Sequence, residues 1–237
     1  MTYSYRRVSF GPGLTPAVKY LLIANGVGFA LSLFFPETIM QVFALVPIRV
    51  YPGLQLWRVV TYLFLHGSFT HLLFNMLGLY FFGPQLERAW GTRQFYIFYF
   101  LTGVGAGMAA VPFYSYFGSP LTPVIGASGA IYGILAGFAL MWPNQIIYLQ
   151  FLFPIKAKWL VLGYGVMEFF STASSIGGRN SGVASVAHLA GLVIGYFYVR
   201  RFSDFRQLPF RLRQWRRRRK FKALTRDRDR HDGPTIQ

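Results

Sequence analysis

The chain of 237 residues contains no cysteine and few charged residues. The absence of cysteine excludes disulfides, zinc–thiolate sites and cysteine nucleophiles, but it does not identify the compartment. Charged residues make up 13% of the chain, about half the share that is usual in a soluble domain. Because 54% of the residues are hydrophobic and 19% are aromatic, too few polar side chains remain to cover a water-facing surface. The composition therefore indicates a polytopic membrane protein.

Acidic residues are scarcer than basic ones, and the basic residues are unevenly distributed. There are 7 acidic and 24 basic residues, for a formal net charge of +17, and 14 of the basic residues lie between Arg200 and the C-terminus. We predict a short cytoplasmic N-terminal segment (1–16), a membrane domain (17–200) and a partly disordered cytoplasmic tail (201–237). The tail would anchor the last span and could bind anionic lipids. One terminal basic run with two aromatic residues is not a nucleic-acid module, so we expect no nucleic-acid partner.

Apolar stretches long enough to approach the ~20 residues of a membrane span recur along the chain. The runs are continuous rather than alternating, which favours helices over strands. We therefore predict an all-α fold, a compact bundle of six transmembrane helices. The six predicted spans cover residues 17–35, 70–86, 94–113, 127–142, 158–175 and 184–199.

The basic residues near the span ends predict the orientation of the bundle. With the N-terminus in the cytoplasm, the cytoplasmic side holds 21 of the 24 basic residues, or 7 if the tail is left out. The other side holds Arg49, Arg58 and Arg179. Six spans return the C-terminus to the cytoplasm, so we expect both termini there.

The first outer connection, roughly residues 36–69, is long and partly apolar. Connections of more than ~12–15 residues are usually functional or structured, and here we expect short interfacial helices rather than a seventh span. The pair Trp57-Arg58 suits a membrane interface, with the indole ring at headgroup depth and the guanidinium facing water or phosphate.

Three polar residues from separate spans are predicted to lie at a similar depth in the outer half of the membrane. His71 opens the second span, Ser128 opens the fourth, and His188 lies about one turn into the sixth. Ionisable groups inside spans are costly and therefore functional candidates. Asn75 is four residues from His71 and shares its helix face, although a polar residue there could also simply join two helices.

Small residues repeat every four positions in the fourth and sixth spans. Such faces allow two helix backbones to approach closely, so we predict that these spans pack together and bring Ser128 to His188. The repeats are Gly129, Gly133 and Gly137 in the fourth span and Ala187, Gly191 and Gly195 in the sixth.

Together, these polar residues of the second, fourth and sixth spans could catalyse acyl transfer. A serine hydroxyl needs a base to remove its proton, and His188 is available for that role. The Ser128 backbone N–H, at a helix N-terminus, and the side chains of His71 and Asn75 could stabilise an oxyanion. Glu168 is the only carboxylate placed to approach His188, and we favour a Ser-His dyad over a triad. Tyr132, one turn below Ser128, could stack on the imidazole or simply pack in the core.

The motifs together resemble the rhomboid family of intramembrane serine proteases. The matching stretches are WR (57–58), HGSFTHLLFNMLGLYFFG (66–83), ERAWG (87–91), GASGAIYG (126–133) and AHLAGLVIGY (187–196). The resemblance implies Ser128 as nucleophile, His188 as base, an oxyanion site of His71, Asn75 and the Ser128 amide, and Tyr132 packed on the histidine. It also implies structural roles for His66 and for Glu87 with Arg88, close packing at Gly126 and Gly191, and a first-loop motif at Trp57-Arg58.

The resemblance further implies cleavage of single-span membrane proteins at or near the bilayer, without a cofactor or metal. We expect an integral membrane protein, of the bacterial inner membrane. Two alternatives stay open on the sequence: a non-catalytic membrane protein on the same scaffold, such as a chaperone or dislocation factor, and a transporter. The spans offer no pair of charged residues at the midplane, which disfavours the transporter.

Overall fold

The computed structural model describes residues 13–149, 152–176 and 185–201. Within these ranges a long helix occupies each of the six predicted segments. The long helices are α1 (Pro16–Phe34), α5 (Phe69–Trp90), α6 (Thr92–Phe117), α7 (Ser128–Met141), α8 (Ala157–Ile176) and α9 (residues 185–201). The first outer connection holds α2 (Pro36–Phe43), α3 (Pro47–Val50), α4 (Arg58–Thr61) and a 3₁₀ turn, Tyr62–Phe64.

Among the described residues, α1 and α6 are long and apolar enough to cross a membrane by length and composition, and α7 is a shorter apolar helix. Six crossings therefore remain a prediction. The predicted terminal segment, up to residue 12, and the basic tail, from residue 202, lie outside the described residues.

Helix α7, the shortest of these six helices, forms the centre of the bundle. Every residue from Gly129 to Ala139 is buried except Tyr132, which is half-buried. A Cβ placed on Gly191 of α9 would lie 2.0 Å from the Gly129 carbonyl oxygen, and one on Gly195 would lie 2.9 Å from the Gly133 Cα. The predicted close packing of these two helices is thus confirmed.

The first outer connection is held together by the buried side chain of Arg58. Its guanidinium donates to the carbonyl oxygens of Ala44 (2.5 Å) and Gln41 (2.6 Å) and to Gln55 Oε1 (2.6 Å). The prediction that this group faces water or phosphate is wrong, because Arg58 is only 2% exposed. Burial, with Arg49 nearby, lowers the pKa of Arg58. Trp57 remains half exposed and donates from Nε1 to the Val42 carbonyl (3.0 Å), and the predicted short helices are present.

This connection also fixes the segment that leads into α7. Leu45 and Val124 form a two-way backbone bridge, with N···O distances of 3.2 and 2.8 Å, and the Gly126 N–H donates to the Tyr62 carbonyl at 2.9 Å. The backbone of the first connection therefore sets the position of the residues immediately before Ser128.

A small antiparallel hairpin departs from the all-α prediction. Strands β1 (Ile146–Leu149) and β2 (Phe153–Lys156) pair between α7 and α8, with Ile146 opposite Lys156. The hairpin lies between two predicted spans, in a stretch too short to form a further membrane helix. The correction leaves the helical bundle unchanged.

The predicted structural role of Glu87 is visible at the N-terminus of α1. The Glu87 carboxylate accepts hydrogen bonds from the backbone N–H groups of Ala17 (2.9 Å) and Val18 (3.1 Å) and from the hydroxyls of Thr15 and Thr92. Free N–H groups at a helix N-terminus are natural partners for an anion. One buried carboxylate thus joins α1, α5 and α6.

Candidate active site

Ser128 and His188 meet at the junction of α7 and α9. Ser128 is the first residue of α7, and its Oγ lies 2.7 Å from His188 Nε2. This distance is that of a hydrogen bond, which is the geometry required for a base to take the proton of a hydroxyl nucleophile. The two residues that the sequence singled out as nucleophile and base are thus in direct contact.

Tyr132 holds the imidazole of His188 in a fixed plane. The two rings are stacked, with centroids 4.3 Å apart and an angle of 7° between planes. Tyr132 follows Ser128 by one helical turn, so the ring and the hydroxyl lie on the same face of α7. The imidazole therefore has a stacking partner on the same helix as its hydrogen-bond partner.

Glu168 of α8 also contacts His188, which the sequence analysis did not favour. Its Oε1 lies 2.9 Å from His188 Nδ1 and accepts a hydrogen bond from the Tyr132 hydroxyl at 2.6 Å. The expectation that Glu168 does not pair with His188 is therefore wrong, and the catalytic dyad stays a prediction. Both nitrogens of the imidazole are engaged, one by Ser128 and the other by Glu168.

His71 lies against Gly126, two residues before Ser128. Gly126 has φ +117°, and a Cβ built on it would lie 2.7 Å from His71 Nε2 and 3.8 Å from Ser128 Oγ. Both the backbone angle and the lack of space require glycine at this position. His71 Nε2 is thus beside the loop that carries Ser128, as an oxyanion donor should be.

Asn75 lies one turn below His71 and is buried. Its Nδ2 donates to the His71 carbonyl at 2.9 Å, which engages one of the two amide hydrogens. His71 and Asn75 therefore share a helix face. The second hydrogen of the Asn75 amide could donate a hydrogen bond to an oxyanion.

His66 packs edge-on against His71, with ring centroids 5.0 Å apart. The side chain is buried, and this burial, together with the nearby His71, lowers the pKa of His66 to about 4. At neutral pH the His66 imidazole is therefore uncharged, which suits the structural role expected of it.

The described hydrogen bonds of Trp57 and Arg58 stay within the first outer connection and do not reach Ser128, His188 or His71. Their effect on the site is indirect, through the backbone that bridges to Val124. In the part of the chain that the structure describes, no cluster of three or more His, Asp or Glu residues is placed to hold a metal ion.

Comparison with known proteins identifies the family. The sequence-family model of the rhomboid domain matches residues 53–205 of this chain, which is more than half of its length. The chain belongs to the rhomboid family. The matched range contains every residue of the site described above, from His66 to His188.

Several curated relatives match over much of this region. The chain is 33% identical over 143 residues to YdcA of Bacillus subtilis, covering 59% of this chain and 64% of the relative. It is 33% identical over 141 residues to the rhomboid protease GluP of B. subtilis, covering 60% and 25%. It is 31% identical over 152 residues to the rhomboid protease AarA of Providencia stuartii, covering 59% and 53%. The chain thus spans less than two thirds of each of these relatives.

Proposed function

We propose that this rhomboid protein is an intramembrane serine endopeptidase that cleaves single-span membrane proteins within or next to the bilayer. The observation that carries the proposal is the 2.7 Å contact between Ser128 Oγ and His188 Nε2. The contact lies at the N-terminus of a buried helix, and the relatives named rhomboid proteases support the same reaction class.

The length of α7 supports a site below the membrane surface. Its 14 residues give about 21 Å at 1.5 Å per residue, which is shorter than the ~30 Å hydrocarbon core of a bilayer. If the inner end of α7 lies near the cytoplasmic boundary, its first residue, Ser128, lies several ångströms inside the outer boundary. Water would then enter from the outer side.

The reaction begins when His188 Nε2 takes the proton of the Ser128 hydroxyl as Oγ attacks the carbonyl carbon of the scissile peptide. The carbonyl oxygen becomes an oxyanion, which the Ser128 N–H, His71 and Asn75 would stabilise. Each donor is worth roughly 3–4 kcal/mol in such a transition state. His188 then gives its proton to the leaving amine, the C–N bond breaks, and an acyl-enzyme forms on Ser128.

The second half of the reaction uses water. His188 takes a proton from the water molecule as its oxygen attacks the acyl carbon, and the bond to Ser128 Oγ breaks with return of the proton to the serine. No cofactor is required for either half. A helical substrate hides its carbonyls in hydrogen bonds, so helix-breaking residues near the cleavage site should speed the reaction.

We propose that the protein spans a bacterial inner membrane six times with both termini in the cytoplasm; the distribution of basic residues supports this orientation. In this proposal the single-span substrate enters laterally, and the basic tail anchors the last span and could bind anionic lipids. A non-catalytic role on the same scaffold would not require the contact between Ser128 and His188.

The proposal is tested by reconstituting the full chain in proteoliposomes with a model single-span substrate. The wild type should cleave it, whereas Ser128→Ala and His188→Ala should both lose activity to a similar degree, because nucleophile and base act as a unit. The proposal would be contradicted if the wild type and Ser128→Ala cleaved the substrate equally. It would also be contradicted if correctly inserted wild-type protein cleaved no substrate, even one whose helix is destabilised.

A further inference from the structure

We infer that Glu168 is a functional third member of the site, a positioning residue that acts through His188, so that this chain uses a Ser128–His188–Glu168 triad. The inference rests on the proposed protease function and deepens it. Three contacts carry it: Glu168 Oε1 lies 2.9 Å from His188 Nδ1, the Tyr132 hydroxyl donates to the same oxygen at 2.6 Å, and His188 Nε2 lies 2.7 Å from Ser128 Oγ.

The contact with Glu168 determines the tautomer of His188. An ionised Glu168 can only accept hydrogen bonds, so with Glu168 ionised Nδ1 carries the hydrogen that the two groups share. In a neutral imidazole the other nitrogen, Nε2, is then an acceptor, and it is this nitrogen that faces the Ser128 hydroxyl. Glu168 therefore selects the one neutral form of His188 that can take the serine proton.

Glu168 also lies next to the positive charge that forms on His188 during the reaction. When His188 takes the serine proton it becomes an imidazolium ion, and a carboxylate in contact with Nδ1 stabilises that ion. Glu168 is only 6% exposed, so little water screens the interaction. The stabilisation appears only once the proton has moved, and it therefore lowers the barrier of the chemical step rather than strengthening substrate binding.

Glu168 is costly to place where it is, because a buried carboxylate is expensive unless it is paired and hydrogen-bonded. Among the described residues, the basic group in contact with Glu168 is the His188 imidazole, and neither a lysine nor an arginine forms an ion pair with it. Glu87, by comparison, is held by two backbone N–H groups at the start of α1. Glu168 is held by the Tyr132 hydroxyl and by His188, and His188 gains a positive charge when it takes the serine proton.

Tyr132 contacts both the His188 imidazole and the Glu168 carboxylate. Its ring stacks on His188 and its hydroxyl contacts Glu168, so a single side chain from α7 aligns the base and the carboxylate. Next to Glu168, one turn along α8, the Ser171 and Ser185 hydroxyls lie 2.6 Å apart and join α8 to α9. This second link allows α8 to stay docked when the carboxylate is altered.

The test compares Glu168→Gln and Glu168→Asp with the wild type in the proteoliposome assay, with Glu87→Gln as a matched buried carboxylate. Glutamine has the same shape, but its amide can donate to Nδ1 and favour the tautomer that cannot accept the serine proton. We expect kcat to fall by about 10²-fold or more in Glu168→Gln with little change in KM. Glu168→Asp should recover part of kcat, and Glu87→Gln should lower thermal stability while leaving kcat unchanged.

A second readout does not depend on substrate cleavage. In protein labelled with ¹⁵N-histidine, the His188 signals of the wild type should show hydrogen on Nδ1, and those of Glu168→Gln should show it on Nε2. This measurement tests the role of Glu168 separately from the protease function. A wild type that is inactive but carries the hydrogen on Nδ1 would contradict the protease function and not the role of Glu168.

A purely structural role predicts different results. Glu168→Gln would then keep kcat within about threefold of the wild type at a normal melting temperature, or Gln and Asp would lose kcat equally with matching losses of thermal stability. Either pattern, or an unchanged His188 tautomer in Glu168→Gln, would overturn the triad.

Discussion

The helix α7 contacts α9 and α8 in very different ways. Against α9 the backbones touch, since a single Cβ at Gly191 would lie 2.0 Å from a backbone oxygen of α7. Against α8 the contact is made by side chains and leaves an apolar groove of about 610 Å³ between the three helices, with Val161, Gly165 and Leu192 among its lining residues. A Cβ at Gly163 of α8 would meet nothing within 4 Å, and one at Gly165 only the Leu192 side chain at 3.8 Å.

The site residues are therefore positioned in two ways, by backbone contact between α7 and α9 and by side-chain hydrogen bonds from α8. The nucleophile and the base lie on the α7–α9 pair, where backbone contact leaves no room for adjustment. The carboxylate is carried by α8, which is held near the site by the hydrogen bonds of Glu168 and by the link between Ser171 and Ser185. The distance between Ser128 and His188 should therefore respond strongly to one methyl group at the α7–α9 contact and weakly to the same change on α8.

The largest effect is expected for Gly191→Ala. The added methyl group would collide with the Gly129 carbonyl, and because that atom belongs to the backbone, the two helices must separate. A displacement of about 1 Å between catalytic groups can reduce the rate 10²-fold, so we expect a loss of that order in the proteoliposome cleavage assay. Cleavage at the wild-type rate by a fully inserted Gly191→Ala protein would show that the contact does not position the site.

A smaller effect on activity is expected for Gly195→Ala, which is about one turn farther from His188 than Gly191 is. Its Cβ would lie 2.9 Å from both the Cα and the carbonyl oxygen of Gly133. Overpacking of this kind costs about 1–3 kcal/mol, which should appear as a lower melting temperature in detergent. The cleavage rate should fall less than in Gly191→Ala. A greater loss of activity than in that variant would mean that distance from the site does not govern the effect.

The smallest effect is expected for Gly163→Ala, the matched substitution on α8. The methyl group enters open space, and alanine favours a helix over glycine by up to about 1 kcal/mol. We expect an unchanged or slightly raised melting temperature and a cleavage rate within about twofold of the wild type. A loss comparable to that of Gly191→Ala would remove the distinction between the two faces of α7.

The sequence was sufficient to predict the six helical segments and the meeting of Ser128 with His188. Both depend on simple regularities: continuous apolar runs of nearly membrane length, and small residues every four positions that leave one way for two helices to pack. The location of His71 beside the serine followed from its place at the start of a helix that runs in the same direction as α7.

Three features were not predicted from the sequence, each for an identifiable physical reason. The adjacent pair Trp57-Arg58 suits a membrane interface, yet the partners of Arg58 are carbonyls 14 and 17 residues away in a compact connection. Glu168 is at the right depth, but α8 is apolar around most of its circumference, so its periodicity does not show which face turns to His188. The hairpin depends on local pairing between β1 and β2 that apolar runs do not reveal.

The central claim, that Ser128 is a nucleophile activated by His188, is tested most directly by covalent labelling. Purified full-length protein would be treated with a fluorophosphonate and the adduct located by mass spectrometry. We predict a single major adduct on Ser128 that forms far more slowly in His188→Ala and is absent from Ser128→Ala. An adduct on another serine, or labelling of Ser128 at the same rate without His188, would contradict the account.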